Sequence, residues 1–358
     1  MSAPSTSAPR IWGLLGARHG DNQQVRALAG AVAEALGWPC ALKQLHYNRL
    51  YMLPNILLGP STASLTAACR REIADGPWPD LVIGVGRRSV PIAGWIRARS
   101  GGRARLVQIG RPRAPLNLFD LVVTTPQYAL PEAGNVLHNL LPLGSAGPAP
   151  EPGVWRERWQ DLPRPLIGVL LGGSRWPLRL GGAAGAELGK GAARLVRRIG
   201  AGSLMAAGGP RTEAAALTGF AAGAPECANI YPFAPGADNP YQAMLALCDQ
   251  FVVTGDSVSM LAEAAATGKP VHVFPVPRSP TFGLGLAGRL PGLKPLRPLV
   301  SAGLISPARD VERFHRRLYR AGLAAPLEQA RADAPGKSGL ADEMEITVGR
   351  ITRLMEGR

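Results

Sequence analysis

The densest set of residues that can do chemistry lies near position 255: Gly255-Asp256-Ser257-Val258-Ser259-Met260, followed by Glu263. The run follows Phe251-Val252-Val253-Thr254, an apolar stretch that reads as a buried strand. Gly255 allows a tight turn, and Asp256 or Ser257 can cap the helix that opens next. The amides of Ser257, Val258, Ser259 and Met260 then face outward at a positive helix end, a cradle suited to a pyrophosphate. Glu263 lies seven residues after Asp256, about two helical turns on, where its carboxylate can accept hydrogen bonds from two adjacent ribose hydroxyls. The plainer alternative is a strand, a cap and a helix, with Asp256 only capping and Glu263 on the surface.

Other residues are weaker candidates for the same chemistry. Gly172-Gly173-Ser174 closes an apolar run at 166–171, so its backbone can approach a phosphate and Ser174 can add a hydroxyl; an ordinary loop reads the same way. Arg211 can neutralise a diphosphate by bidentate contact or sit on the surface. Asn239 or Tyr241, on either side of Pro240, can touch a base or sugar, or the three can merely start a helix. In the N-terminal half, Gly13 to Gln23 holds a glycine-rich loop that lacks a P-loop's Gly-Lys-Ser/Thr. It places His19 and Asp21 after a strand, where either can serve as base for an acceptor hydroxyl; Asp21 or Asn22 can instead cap a helix. Arg87 and Arg88, in a Gly-Arg-Arg-Ser turn, can bind an anion or simply precede a capped helix. No D-x-D and no His/Cys/carboxylate cluster at ligand spacing implies a metal.

The elements that position these residues alternate between strand and helix. Strands are expected at 11–15, 41–45, 81–84, 105–109, 121–124, 166–171, 204–206, 251–253 and 271–274. Helices are expected at 23–36, 64–73, 90–99, 183–199, 212–220, 241–247, 258–267, 309–323 and 343–355. Such alternation argues for parallel sheets covered on both faces. The division expected is a disordered tail at 1–9, a first domain at 10–145, a Pro/Gly-rich linker at 146–165, a second domain at 166–330 and an amphipathic helical segment at 331–358. The fold class is therefore α/β, two tandem doubly wound Rossmann-like domains with a ligand cleft between them.

The chain has 358 residues and a formal charge of +15, from 40 basic and 25 acidic residues. That favours anionic partners, but the charges are spread, with no like-charge block, zinc finger or RNP pattern to indicate nucleic acid. Gly 44 and Pro 34 read as loop punctuation. Cys40, Cys69, Cys227 and Cys248 form no C-x-x-C, which fits a reduced, cytoplasmic chain. No secretory signal and no membrane-spanning run of about 18 apolar residues is read. The apolar segment 50–58, beside Arg49, can dip into an anionic membrane surface, giving peripheral attachment at the inner membrane, or pack in a core.

Several runs carry a resemblance: the run from Gly255 through Glu263 to Gly268-Lys269-Pro270-Val271; Gly20-Asp21-Asn22-Gln23-Gln24; Pro79-Asp80-Leu81-Val82-Ile83-Gly84-Val85-Gly86-Arg87-Arg88; Gly110-Arg111-Pro112-Arg113; Phe119-Asp120-Leu121-Val122-Val123-Thr124-Thr125-Pro126-Gln127-Tyr128; and Asn239-Pro240-Tyr241. Together they resemble the mitochondrial fission ELM1-like family across residues 11–275. The resemblance implies a GT-B-like fold, with a nucleotide in the C-terminal domain and a glutamate near Glu263's place holding its ribose. It also implies glycosyltransferase activity for bacterial members and, for plant members, a part in mitochondrial division through a dynamin-related protein partner. One block departs: Gly208-Gly209-Pro210-Arg211-Thr212 stands where the family tends to carry a Ser-Arg-Arg-Thr-like turn. The function expected is a metal- and cofactor-independent glycosyltransferase using a nucleoside-diphosphate sugar. The alternatives are a non-enzymatic interaction protein and a nucleotide-sugar epimerase.

Overall fold

The structure, a computed structural model, describes residues 11–74, 76–144, 151–226, 229–236, 238–279, 297–304, 309–330 and 343–357. The expected tail at 1–9 lies outside them. Two compact units divide the chain: 1–144 with 292–310 and 342–358, and 145–291 with 311–341.

Unit 1 opens with β1 (Ile11–Leu15), α1 (His19–Leu36) and β2 (Cys40–Gln44), then α2 (Asn55–Leu58) and α3 (Ala67–Ala74). It continues through β3 (Leu81–Val85), α4 (Val90–Arg99), β4 (Arg105–Ile109), β5 (Leu121–Thr124) and β6 (Val136–His138). Unit 2 carries α5 (Trp155–Arg158), β7 (Leu166–Leu171), α6 (Gly182–Ile199), β8 (Ser203–Gly208), α7 (Ala214–Gly223), β9 (Asn229–Tyr231), α8 (Tyr241–Leu247), β10 (Gln250–Thr254), α9 (Val258–Ala266) and β11 (Val271–Phe274). Then α10 (Arg297–Ser301) belongs to unit 1, α11 (Val311–Ala321) and β12 (Ala325–Pro326) to unit 2, and α12 (Glu343–Glu356) to unit 1.

Each unit holds a six-stranded parallel sheet, ordered β2-β1-β3-β4-β5-β6 and β12-β11-β10-β7-β8-β9. The central strands are buried along their length, because helices cover both faces and leave no solvent side for polar residues. Alternation persists inside that burial. Trp12 and Leu14 face one apolar cluster with Ile92 and Ile96, while Ile11 and Leu15 face another with Val25 and Leu28. In the first sheet the order reverses between β1 and β3, and in the second between β7 and β10. Outside the C-terminal ends of strands at such a reversal, adjacent loops diverge and leave a crevice for ligands.

Two boundaries differ from expectation. From residue 155 the expected linker is part of unit 2: Trp155 and Trp159 are buried, with ring centroids 5.2 and 6.0 Å from the Tyr231 ring, and Trp159 Nε1 donates to Tyr231 Oη at 3.0 Å. Two tryptophans four residues apart share one helix face and must bury it. The C-terminal helix is amphipathic, but it is a layer of unit 1, not a separate segment. Ile351 and Met355 join the α1 cluster, and Glu343 accepts from the Leu140 and Leu141 amides, the latter at 2.8 Å.

Candidate functional site

In unit 2 three neighbouring strands, β10, β7 and β8, end side by side, and their loops are tied together. Gly172 N donates to Thr254 Oγ1 at 2.8 Å, and Gly173 N donates to Asp256 Oδ2 at 2.8 Å. Thr212 Oγ1 accepts from Gly209 N at 2.8 Å and donates to Leu171 O at 2.9 Å, with Gly172 O also in contact. The two glycines are required by close approach. A Cβ on Gly172 would lie 2.2 Å from Asp256 Oδ2, and one on Gly173 would lie 2.2 Å from Arg211 O.

Asp256 therefore does not cap α9. Its carboxylate is buried, faces back to β7 and serves as acceptor for that strand's loop. Burial raises its pKa, opposed by the Gly173 amide, Thr254, its own amide and the charge of Arg211. Its Oδ1 has no hydrogen-bond partner among the described residues. Ser257 is the residue before α9, and its side chain makes no cap bond; its hydroxyl lies 3.4 Å from that of Ser259. The first amides of α9, from Val258, Ser259 and Met260, thus open the helix with no side chain capping them. This leaves a partial positive charge beside the exposed Arg211. Met260 reaches over the β8 loop, its Cε 3.1 Å from where a Cβ on Gly209 would be. The Ser174 hydroxyl is engaged with Glu213 and accepts from Leu180 N at 3.1 Å, so its first role is to shape its own loop.

One face of α9 carries the half-buried Glu263, whose Oε2 accepts from Tyr241 Oη at 2.6 Å. Burial, and then the Glu263 charge and hydrogen bond, push the Tyr241 phenol well above its usual range. Tyr241 holds the carboxylate, so Glu263 is neither a bare surface residue nor an unconstrained one. Asn239 Oδ1 accepts from Tyr241 N at 2.9 Å, the helix-start role that its position before Pro240 allowed. Lys269 Nζ donates to Leu245 O and Ala246 O at 3.0 and 2.7 Å, closing the C-terminal end of α8.

Three contributors were not singled out from the sequence. Thr254 and Thr212 act through partners dozens of residues away or through a hydroxyl that reads as ordinary loop polarity. His315, on α11, places Nε2 2.8 Å from Gly255 O, and its ring fills the space a Cβ on Gly255 would need, at 2.6 Å. No local pattern marks it.

In unit 1 the two candidate groups lie on neighbouring strands, after β1 and after β3. Helix α1 starts at His19, four residues earlier than its apolar spacing implied, with Arg18 as the preceding residue and no side-chain cap. The side chain of His19 lies outside the described residues. Asp21 falls in the first helical turn, favourable to the helix dipole, and is half-buried. Asn22 does not cap the helix; it pins the loop, its Oδ1 accepting from Gly16 N at 2.7 Å and its Nδ2 donating to Gly16 O at 2.9 Å. Arg87 Nη1 donates to Leu53 O at 3.0 Å, and the Arg88 guanidinium stacks 4.0 Å from the Tyr51 ring centroid. Among the described residues no group of three His, Cys, Asp or Glu side chains could hold a metal ion, and no helix is long and apolar enough to cross a membrane.

The sequence profile of the family described as mitochondrial fission ELM1 matches residues 20–283. The chain belongs to the mitochondrial fission ELM1 family. The mitochondrial fission protein ELM1 of Arabidopsis thaliana is 31% identical over 230 residues, which cover 57% of this chain and 53% of that protein. An uncharacterized protein of Rickettsia prowazekii is 33% identical over 113 residues, 32% of this chain and 30% of that one. The chain therefore matches about half or less of the length of these relatives. Among solved structures, the S. aureus MnaA–UDP co-structure matches with a TM-score of 0.51 at 12% identity, covering 97% of each chain. The UDP-GlcNAc 2-epimerase of Neisseria meningitidis bound to UDP-GlcNAc gives 0.51 at 10% identity, covering 96% of this chain and 100% of that one. The UDP-GlcNAc 2-epimerase of Methanocaldococcus jannaschii gives 0.50 at 11%, covering 96% and 99%. At such identities the likeness shows the fold: two Rossmann-like α/β units of GT-B type, as the family resemblance implied.

Proposed function

We propose that unit 2 binds a nucleoside-diphosphate sugar at the ends of β10, β7 and β8, and that this family member is a glycosyltransferase. One observation carries the reading: the uncapped start of α9, the tyrosine-held Glu263 two turns along the same helix and the Arg211 side chain on the β8 loop are brought together where the loops after β7, β8 and β10 are pinned at a strand-order reversal. The diphosphate would meet the amides of residues 257–260 and the Arg211 guanidinium, and the ribose would meet Glu263. Gly172, Gly173 and Asp256 hold the loops at the spacing this needs, and Asn239 orients Tyr241. Transfer needs charge stabilisation on the leaving diphosphate, which a guanidinium and a helix N-terminus supply without a metal. The acceptor oxygen would bond the anomeric carbon as the carbon–oxygen bond to the diphosphate breaks. His19 or Asp21 would take the acceptor's proton.

The UDP of the S. aureus co-structure and the UDP-GlcNAc of the Neisseria enzyme, on the same fold, support a nucleotide sugar as ligand. They also favour a second reading, epimerisation of the nucleotide sugar. Calorimetric titration with UDP-, GDP-, ADP- and CMP-sugars tests the shared step; no binding by any of them at millimolar concentration overturns it. Product analysis without an added acceptor separates the readings, because an epimerase interconverts the sugar nucleotide and a transferase leaves it unchanged.

A further inference from the structure

Residues 50–57 of unit 1 place large aliphatic side chains in solvent beside a cluster of arginines. Met52, Ile56 and Leu57 are 70%, 76% and 71% exposed, and Leu50 and Leu53 are 46% and 40% exposed. Single exposed aliphatics are ordinary, but five within eight residues form a patch of the kind that marks an interaction surface. Four of them sit on a 3-10 turn, Arg49–Met52, and on α2, neither of which buries a residue of its own, and Leu53 lies between the two. The segment is anchored on the arginine loops. Leu53 O accepts from Arg87, Tyr51 stacks with Arg88, and Asn55 Nδ2 donates to Pro112 O at 3.0 Å and to Arg113 O at 3.3 Å.

The arginines are gathered where like charges oppose one another. Arg111 and Arg309 flank one ring, their guanidinium carbons 5.7 and 4.9 Å from the Tyr128 centroid, and Arg309 Nη2 donates to Tyr128 Oη at 2.9 Å. Burial, then Arg113 and Arg309, press the Arg111 guanidinium down to about 10, with Tyr128 opposing. Burial, then Arg113 and Arg88, lower Arg87 too. Near the opposite ends of the same strands, arginines are paired: Arg97 and Arg105 share Asp120, and Arg103 faces Asp80. Among the described residues Arg87, Arg88, Arg113 and Arg309 form no ion pair, and Arg309 Nε is buried without a hydrogen-bond partner. Arg87, Arg88 and Arg309 are half-buried and Arg113 is exposed, and like charges held partly out of water favour the approach of an anion.

We propose that this face of unit 1 docks on an anionic lipid bilayer, with phosphate headgroups among Arg87, Arg111, Arg113 and Arg309 and acyl chains against Met52, Ile56 and Leu57. Guanidinium forks match phosphate oxygens in pairs. A free phosphate would satisfy the arginines but leave the aliphatic side chains in water, whereas a bilayer surface satisfies both.

Flotation of the full chain with phosphatidylcholine vesicles, with and without phosphatidylglycerol, tests this. Binding is expected only with the anionic vesicles. Arg87→Gln with Arg113→Gln weakens it about fivefold for each charge removed. Ile56→Ser with Leu57→Ser, which changes only exposed side chains, weakens it by at least about tenfold. Arg70→Gln with Arg71→Gln removes the same charge from the exposed face of α3 and leaves binding within about twofold. The proposal fails if neutral vesicles bind equally, if the α3 variant weakens binding as much as the Arg87/Arg113 variant, or if the aliphatic variant binds like the parent. It fails as well if neither vesicle binds, including where inorganic phosphate alone raises the melting temperature, since the ligand is then a soluble anion. The assay contains no sugar nucleotide, so its failure leaves the unit 2 reading untouched.

Discussion

Replacing Asp256 separates its two features, a buried hydrogen-bond acceptor and a buried charge. In Asp256→Ala the Gly173 amide loses its partner while still enclosed by the Arg211 loop, and an orphaned buried donor costs about 1–3 kcal/mol. Asp256→Asn keeps an acceptor oxygen in the same place and removes the charge, whose pKa burial already raises, so its cost is at most about 1 kcal/mol near neutrality. The sign of the pH effect follows from that direction. With the native pKa above the unfolded one, the native state holds the proton longer. Stability from this group is then full below the unfolded carboxyl pKa and falls as pH rises through the native pKa. The asparagine variant lacks that fall. Urea denaturation of the parent and both variants at a series of pH values from about 4 to about 7 measures all three quantities. An alanine variant as stable as the parent, or an asparagine variant as damaged as the alanine one, would refute the acceptor role.

Two further perturbations follow from the same geometry. Gly173→Ala would put a methyl group 2.2 Å from Arg211 O, so the β8 loop must shift; a loss of about 2–3 kcal/mol by denaturation is expected, with loss of any nucleotide-sugar binding in the same sample. His272, buried on β11 with Nε2 3.3 Å from Gln250 Oε1, has its pKa lowered to about 4 by burial and then by Arg198. Its stabilising effect is full above the unfolded value of about 6.5 and falls by roughly 3 kcal/mol as pH drops to the native value, because the unfolded chain takes up the proton first. His272→Gln flattens the stability curve over that interval, and denaturant midpoints across it read the difference.

The sheet was legible where strands are central. Leu81, Val82 and Ile83, like Leu166 to Leu171, sit between helical layers and so appear as unbroken apolar runs. The edge strands β6, β9 and β12 were not legible, because two or three residues at a sheet margin carry no period. The start of α1 was placed late because Gly20 and Asp21 contribute no apolar face, although they are helical. At the candidate site, glycines and Glu263 announced themselves by type and spacing. The direction of the Asp256 side chain did not, since a cap and a cross-strand acceptor look identical in sequence and only the proximity of Gly172 and Gly173 decides between them. Arg87 and Arg88 stood out as a charged pair; their link to the aliphatic segment needed the fold that brings residues 51 and 53 beside β3.

Backbone amide hydrogen exchange with and without UDP reports which amides a diphosphate covers, and so whether unit 2 holds a nucleotide at the start of α9. Slowed exchange is expected at residues 172–174 and 257–260, with weakening of that protection in Glu263→Gln and without comparable change at the β4 and β5 strands of unit 1. Unchanged exchange at residues 257–260 under saturating UDP, or protection confined to unit 1, would contradict that placement.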